Sequence, residues 1–205
     1  MIKIKPHYIL IANLLLASLS AHAEVRISIS KISANGVGEY IGTISAIDTP
    51  KGLLLTPNLK DLPAGDHGFH IHQNPSCESL KKDGISIAGL AAGGHFDPGN
   101  TGKHEGYMGH GHKGDMPVLT VNPNGTADKA LIVPHLKEVD ILGRSIMIHA
   151  GGDNYSDTPL PLGGGGARIA CGVIKQVEVS EGGQGSADNE VGTLLTVFQN
   201  LANSF

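Results

Sequence analysis

A two-residue alternation of apolar and polar residues, broken repeatedly by turn residues, restricts this chain more than any other feature of its sequence. Val25, Ile27 and Ile29 share one parity while Arg26, Ser28 and Ser30 take the other, the pattern of a strand with one buried face. Short β-rich runs follow at 36–47, 52–56, 68–72, 117–121, 127–133, 144–149 and 168–179. Asn35-Gly36, Pro57-Asn58, Pro63, residues 122–125 and residues 140–143 punctuate them, with no long 3.6-residue stripe between. The pattern predicts an all-β fold, an eight-stranded antiparallel barrel or sandwich. Two connections, 73–115 and 150–167, are too long to be idle in such a fold and are read as functional loops.

The two ends of the chain differ from this middle. Residues 1–23 hold Lys3 and Lys5, an apolar run at 8–19 and then Ala21-His22-Ala23, which reads as a secretory signal peptide cleaved after Ala23. The run is shorter than the ~20 apolar residues of a membrane span, and no later segment approaches that length. The mature protein is therefore expected in the periplasm or outside the cell, without a membrane partner. Residues 24–179 make the folded domain and 180–205 a flexible tail, polar and Gly-rich at 181–189. Val191, Leu194, Leu195, Val197, Phe198 and Leu201 in that tail are spaced like one face of a short helix. The whole chain has formal net charge −4; signal removal leaves 13 basic and 19 acidic residues, a charge of −6. That balance argues against a nucleic-acid partner, which calls for clustered Lys and Arg. With export to an oxidising space, Cys77 and Cys171 read as a disulfide in preference to reactive thiols.

The unusual count is 11 His. His70 and His72 flank Ile71 on a strand pattern, so both imidazoles project from one face while Phe69 and Ile71 take the other. A lone His-x-His is equally at home on a polar surface, but further ligand-type residues follow in the first long loop: His95, His104, and His112 with Asp115. His149 ends the apolar run Ser145-Ile-Met-Ile-His149. Histidines beside glycines that let the backbone bend read as a metal site. His110 is set aside as a bystander, His67 as a hydrogen-bonded structural residue and His135 as a surface group after Pro134.

Five motifs taken together carry a resemblance. Gly68-Phe-His-Ile-His72, Gly94-His-Phe-Asp-Pro98, Gly109-His-Gly-His-Lys-Gly-Asp115, Gly143-Arg-Ser-Ile-Met-Ile-His149 and Arg168-Ile-Ala-Cys-Gly-Val-Ile174 resemble, in order, the copper,zinc superoxide dismutases. Gln73-Asn-Pro-Ser-Cys77, Thr101-Gly-Lys-His-Glu-Gly106 and Gly151-Gly-Asp-Asn-Tyr-Ser-Asp157 are similar to the secreted bacterial branch in particular. The resemblance implies a Greek-key barrel in which His70, His72, His95 and His149 hold copper. It implies that His95, His104, His112 and Asp115 hold zinc, with His95 shared. An all-imidazole set suits a redox-cycling copper, and three imidazoles with a carboxylate suit tetrahedral zinc. Asp153 would join His70 to His104 through their other ring nitrogens. Arg168 would hold the superoxide substrate beside the copper, and His95 would pass a proton to the departing peroxide. Cys77 would pair with Cys171.

The tail after Ser180 is not part of that family pattern, and the 150–167 loop has no lysine. Lys81, Lys82, Lys103 and Lys113 in the first long loop are the candidates for a local positive field, or are simply solubilising. A copper and zinc storage or delivery protein on the same fold, and a hydrolytic zinc enzyme, are the rival readings. Arg168 separates them: a storage protein has no reason to set a fixed cation beside an open copper position, and a hydrolase has no use for four imidazoles on one metal. Monomer and homodimer are both compatible with the sequence.

Overall fold

The structure, a computed structural model, describes residues 24–175. The expected signal segment, residues 176–179 of the last expected strand and the expected tail lie outside the described residues. Alternation does what the sequence predicts in β1 (Val25–Ser33), where Val25, Ile27 and Ile29 are buried and Arg26 and Ser28 exposed. β1 pairs antiparallel with β2 (Gly36–Thr49), and β2 with β3 (Gly52–Leu59). At the far end of that second pairing, opposite Leu59, Gly42 has φ +133°, and a Cβ there would collide with the carbonyl of Asn58, so the close approach of the two strands depends on glycine.

Two further strands place the site. β5 (Phe69–His72) pairs antiparallel with β10 (Arg144–His149), in the register Met147 to His70 and Ser145 to His72. Phe69, Ile71, Ile146 and Ile148 therefore enter the main core with Ile27, Ile44 and Leu55. His70, His72, Met147 and His149 take the opposite face, by strand period alone. β10 also pairs with β11 (Arg168–Ile174), and β11 with β1, while β9 (Leu131–Val133) pairs with β3. The result is a seven-stranded antiparallel sheet in the order β5-β10-β11-β1-β2-β3-β9, curled around its core.

Each of the eight predicted runs holds a strand; 144–149 keeps its ends, and others change theirs. The run at 117–121 shortens to β8 (Leu119–Val121) and that at 127–133 to β9, whereas β3 extends past Pro57 to Leu59. β4 (Gly65–His67) precedes β5 and pairs with β8 in a sheet of two. The first long loop is less bare than its sequence suggests: β6 (Leu80–Lys82) and β7 (Ile85–Ile87) form a hairpin, and a 3-10 turn covers Leu90–Ala92. A single helical turn, α1 (Glu138–Ile141), is pinned where Glu138 and Asp48 each accept the other's backbone N–H at 2.9 Å.

A second, smaller core of Ile32, Cys77, Ala92, Met147 and Cys171 lies between the first loop and the sheet. Cys77 and Cys171 form a disulfide across 94 positions of sequence. It fastens the start of the loop to β11, three residues beyond Arg168. No helix of the described residues is long and apolar enough to cross a membrane.

Candidate metal centre

Three pieces of chain converge on the face that bears His70 and His72. The first long loop crosses β5, with Phe96 N–H donating to the Ile71 carbonyl at 2.8 Å and Ile71 N–H to the Gly114 carbonyl at 2.9 Å. Those bonds set His95 and Asp115 against the strand. Gly114 has to be glycine, because a Cβ would strike the Ile71 carbonyl. The end of β10 supplies His149, whose backbone N–H donates to the Gly68 carbonyl at 2.9 Å.

One ligand atom from each of His70, His72, His95 and His149 lies within 4.8 Å of the others, and the same holds for His70, His95, His104 and Asp115. All seven residues other than His112 that the sequence singles out around this site, Asp153 among them, have fully or almost fully buried side chains. His112 stands slightly apart, its Nδ1 3.5 Å from Asp115 Oδ1 and its ring centroid 5.3 Å from that of His95. Buried atoms without a hydrogen bond identify the site more sharply than proximity does. Among the described residues they are His70 Nδ1, His72 Nε2, His95 Nε2, His104 Nδ1, His112 Nδ1, His149 Nε2, Asp115 Oδ2 and, apart from this cluster, Ser145 Oγ. Buried polar atoms normally find a partner; here His104 Nδ1 and Asp115 Oδ2 face each other at 2.9 Å, and the seven atoms converge in one place as a donor set for a cation. Six imidazole nitrogens and a carboxylate fit copper on one side and zinc on the other.

The other ring nitrogen of each of these histidines except His112 is held. Asp153 accepts from His70 Nε2 at 2.7 Å and from His104 Nε2 at 2.8 Å, joining the two halves of the cluster as expected. Gly163 makes room for it, since a Cβ there would strike Asp153 Oδ1. His72 Nδ1 lies 3.0 Å from the Gly93 carbonyl, His149 Nδ1 3.3 Å from that of Gly166, and His95 Nδ1 2.8 Å from Asp115 Oδ1. Each contact fixes a ring plane and aims the other nitrogen inward.

Electrostatics divides the cluster. Burial first, and then the neighbouring imidazole His95, depresses His70 to about 3. Burial likewise lowers His149 to about 4, and it lowers His72 well below the ordinary range, with His95 and the Arg168 charge adding to it. These rings stay neutral and available as ligands. His104 is the exception: burial opposes its charge, but Asp115 and Asp153 together outweigh that and raise it to about 9. Both carboxyls are correspondingly held below the usual carboxylate range against their own burial.

Arg168 opens β11, and its guanidinium is clamped to the 3-10 turn, donating to the carbonyls of Gly89 and, at 2.7 Å, Gly93. Gly93 thus receives both Arg168 and His72. His110 is exposed, as its reading as a bystander requires. His67 is buried with its ring nitrogens 2.7 Å from the His149 carbonyl and 2.9 Å from that of Pro63, a structural bracket. His135 is exposed as expected, and it also reaches the Lys113 carbonyl at 2.9 Å. Lys113 is not a free steering charge, because its ammonium sits 2.6 Å from Asp140; Lys81, Lys82 and Lys103 are exposed.

Sequence reasoning missed Tyr155 and the glycine carbonyls. The Tyr155 ring meets Tyr107 edge-on at 5.4 Å and lies so close to Gly106 that a Cβ there would approach it to 2.8 Å. Its backbone N–H donates to Asp153 Oδ1 at 2.7 Å. A tyrosine two residues after a bridging aspartate was the available signal, but nothing local says which loop it packs against.

The sequence model described as copper/zinc superoxide dismutase (SODC) matches residues 40–174. Superoxide dismutase [Cu-Zn] 2 of Salmonella typhimurium is 54% identical over 163 residues, which cover 78% of this chain and 94% of that protein. Among solved structures, the Cu/Zn superoxide dismutase from Brucella abortus aligns with a TM-score of 0.73 and 48% identity, covering 75% of this chain and 100% of the other. The monomeric copper, zinc superoxide dismutase from Salmonella enterica aligns at 0.69 and 55%, again over 75% and 100%. A donor cluster shared by His95, a carboxylate that joins its halves and a match over most of the described fold lead to one conclusion: the chain belongs to the copper/zinc superoxide dismutase family.

Proposed function

We propose that this chain dismutes superoxide to oxygen and hydrogen peroxide, with copper held by His70, His72, His95 and His149 and zinc by His95, His104, His112 and Asp115. The observation that carries the assignment is the set of seven buried donor atoms without hydrogen bonds, which His95 divides: its Nε2 joins the imidazole group and its Nδ1 faces Asp115. When bound, copper supplies the one-electron chemistry that oxidises one superoxide and, with two protons, reduces a second, while zinc keeps a single oxidation state.

The protein's own groups do the rest. Arg168 binds and orients the anion, and its fork is presented rigidly because Gly89 and Gly93 hold it. His95 Nε2 is the atom that holds one proton for the leaving peroxide, since Asp115 fixes the ring through the opposite nitrogen. Asp153 keeps the rings of His70 and His104 in a fixed relation. The neutral state of His70, His72 and His149 follows from burial, so these ligands are not lost to protons near neutrality.

Family membership supports dismutation over metal storage or delivery. Catalysed loss of superoxide by the copper- and zinc-loaded mature protein, against the same protein freed of metal, tests it. Tight binding of both metals with no catalysed loss would restore storage. Residues 1–23 are proposed as an export signal, giving a periplasmic or secreted protein; an N-terminus at Glu24 in the exported form tests that. Residues 180–205 are proposed as an appendage to the domain, so truncation after Ser180 should leave activity and melting temperature close to those of the full mature chain. Sedimentation of the mature protein decides between monomer and homodimer.

A further inference from the structure

The loop between β10 and β11 carries two aspartates close together, Asp153 and Asp157, and the metal centre derived above uses only the first. Both grip the same residue. Asp153 Oδ1 meets the ring of His104 at Nε2, 2.8 Å away, whereas Asp157 Oδ2 accepts the backbone N–H of His104 at 2.9 Å. The other oxygen of Asp157 accepts Leu162 N–H at 3.1 Å, and these two amides hold its carboxyl below the ordinary range. Asn154 N–H to the Gly163 carbonyl at 3.1 Å and Gly163 N–H to the Ser156 carbonyl at 3.0 Å close the loop on itself. Asp153 and Asp157 are thereby presented from one braced segment.

His104 needs such a grip. Residues 101–106 have no regular secondary structure, and a ring contact alone fixes side-chain torsions while leaving the Cα free to move. Holding ring and backbone together fixes both the direction and the position of Nδ1. We propose that Asp157 is a positioning residue which, with Asp153, holds His104 at backbone and ring, so that the 150–167 loop sets how long the zinc-side donors retain their metal. This rests on the reading of His104 as a zinc ligand.

Parent, Asp157→Ala, Asp157→Asn and His104→Ala, each loaded with copper and zinc, are compared for zinc transfer to excess chelator. Their visible spectra are compared with cobalt in place of zinc. Removing a partner that orients a ligand typically weakens metal binding by about 10- to 100-fold. Asp157→Ala is therefore expected to release zinc roughly tenfold faster and to shift the cobalt bands. Asp157→Asn should fall between, since one acceptor oxygen remains without the charge, and it carries the comparison if the alanine variant does not fold. Exchange of the His104 amide hydrogen should quicken in the same order. Release, cobalt bands and amide exchange unchanged from the parent in Asp157→Ala would overturn the grip, even if the melting temperature fell, because a purely loop-closing role lowers stability alone. Zinc retained with unchanged cobalt bands in His104→Ala would instead overturn the ligand reading beneath it.

Discussion

His149 enters the cluster through Nε2 alone, since its Nδ1 faces the Gly166 carbonyl. Its alanine variant is therefore expected to lose copper and dismutation while keeping zinc and fold; metal analysis beside an activity assay checks this, and full activity with normal copper would remove His149 from the copper set. Arg168 acts at longer range. Its two carbonyl anchors leave a fixed positive charge whose loss should spare both metals and the disulfide but lower the second-order rate roughly tenfold or more. Arg168→Lys should lie between, because the charge survives without the planar fork. Added salt should slow the parent more than Arg168→Ala, and equal salt slopes at matched copper content would refute steering by this residue. At this scale the histidines of the cluster were legible because strand period puts His70 and His72 on one face, and because glycine-flanked histidines gather in one loop. The partners that hold them were not: the Gly89 and Gly93 carbonyls and the Asp157 grip depend on how two long loops lie against each other, and no local pattern encodes that.

Among the elements, the first long loop is the most dependent on chemistry other than packing. Its hairpin β6–β7 exposes Leu80 and Ile85, so little apolar burial secures it. The disulfide at one end and Asp115 at the other add to the small core around Ala92 and to the backbone bonds with Ile71 in ordering it. Asp115→Ala should therefore abolish zinc retention and lower the melting temperature of the metal-treated protein, and an unchanged melting temperature would deny zinc a structural role. Cys171→Ser releases a closure of 94 positions, worth up to about 4–5 kcal/mol in the chain-entropy view. Because the 3-10 turn that holds Arg168 belongs to the tethered loop, that variant should also lose part of its salt-sensitive rate with both metals still bound. A rate unaffected by the substitution would show that the disulfide stabilises without positioning. The loop's length and function were legible from its glycines and histidines, but β6 and β7 were not, since three-residue strands in a polar, Lys-rich run carry no usable period. Arg144–His149 was legible to its ends because the apolar residues 146–148 follow a turn at Gly143 and end in a histidine of the cluster.

At the level of the whole molecule, the antiparallel barrel-like sheet was readable from alternation and turns, while the closure of strands distant in sequence, β11 on β1 and β9 on β3, was not, because pairing is decided by burial across the core. The same buried arrangement gives the metal-free protein a two-sided dependence on pH. His70 at about 3 and His149 at about 4 lie below the ~6.5 of an unfolded histidine. Below pH ~6.5 the unfolded chain binds protons that these rings refuse, so stability falls as pH drops from there toward 3. His104 works in the opposite sense. Raised to about 9 by Asp115 and Asp153, it contributes stability that is complete below pH ~6.5 and is lost as pH rises through 9. The melting temperature of metal-free protein should therefore peak near pH ~6.5 and decline on both sides, by several degrees on the alkaline limb. Zinc flattens that limb, because a ligand nitrogen must be deprotonated to bind it. Zinc uptake at pH 7.5 should release about one proton, measurable by calorimetry in buffers of different ionisation enthalpy, and the zinc-loaded protein should hold its melting temperature from pH ~6.5 to 9. A metal-free melting temperature that stays level over that range, with no proton released on zinc uptake, would show that His104 is neutral between its two carboxylates and that the charge pairing does not contribute to the fold.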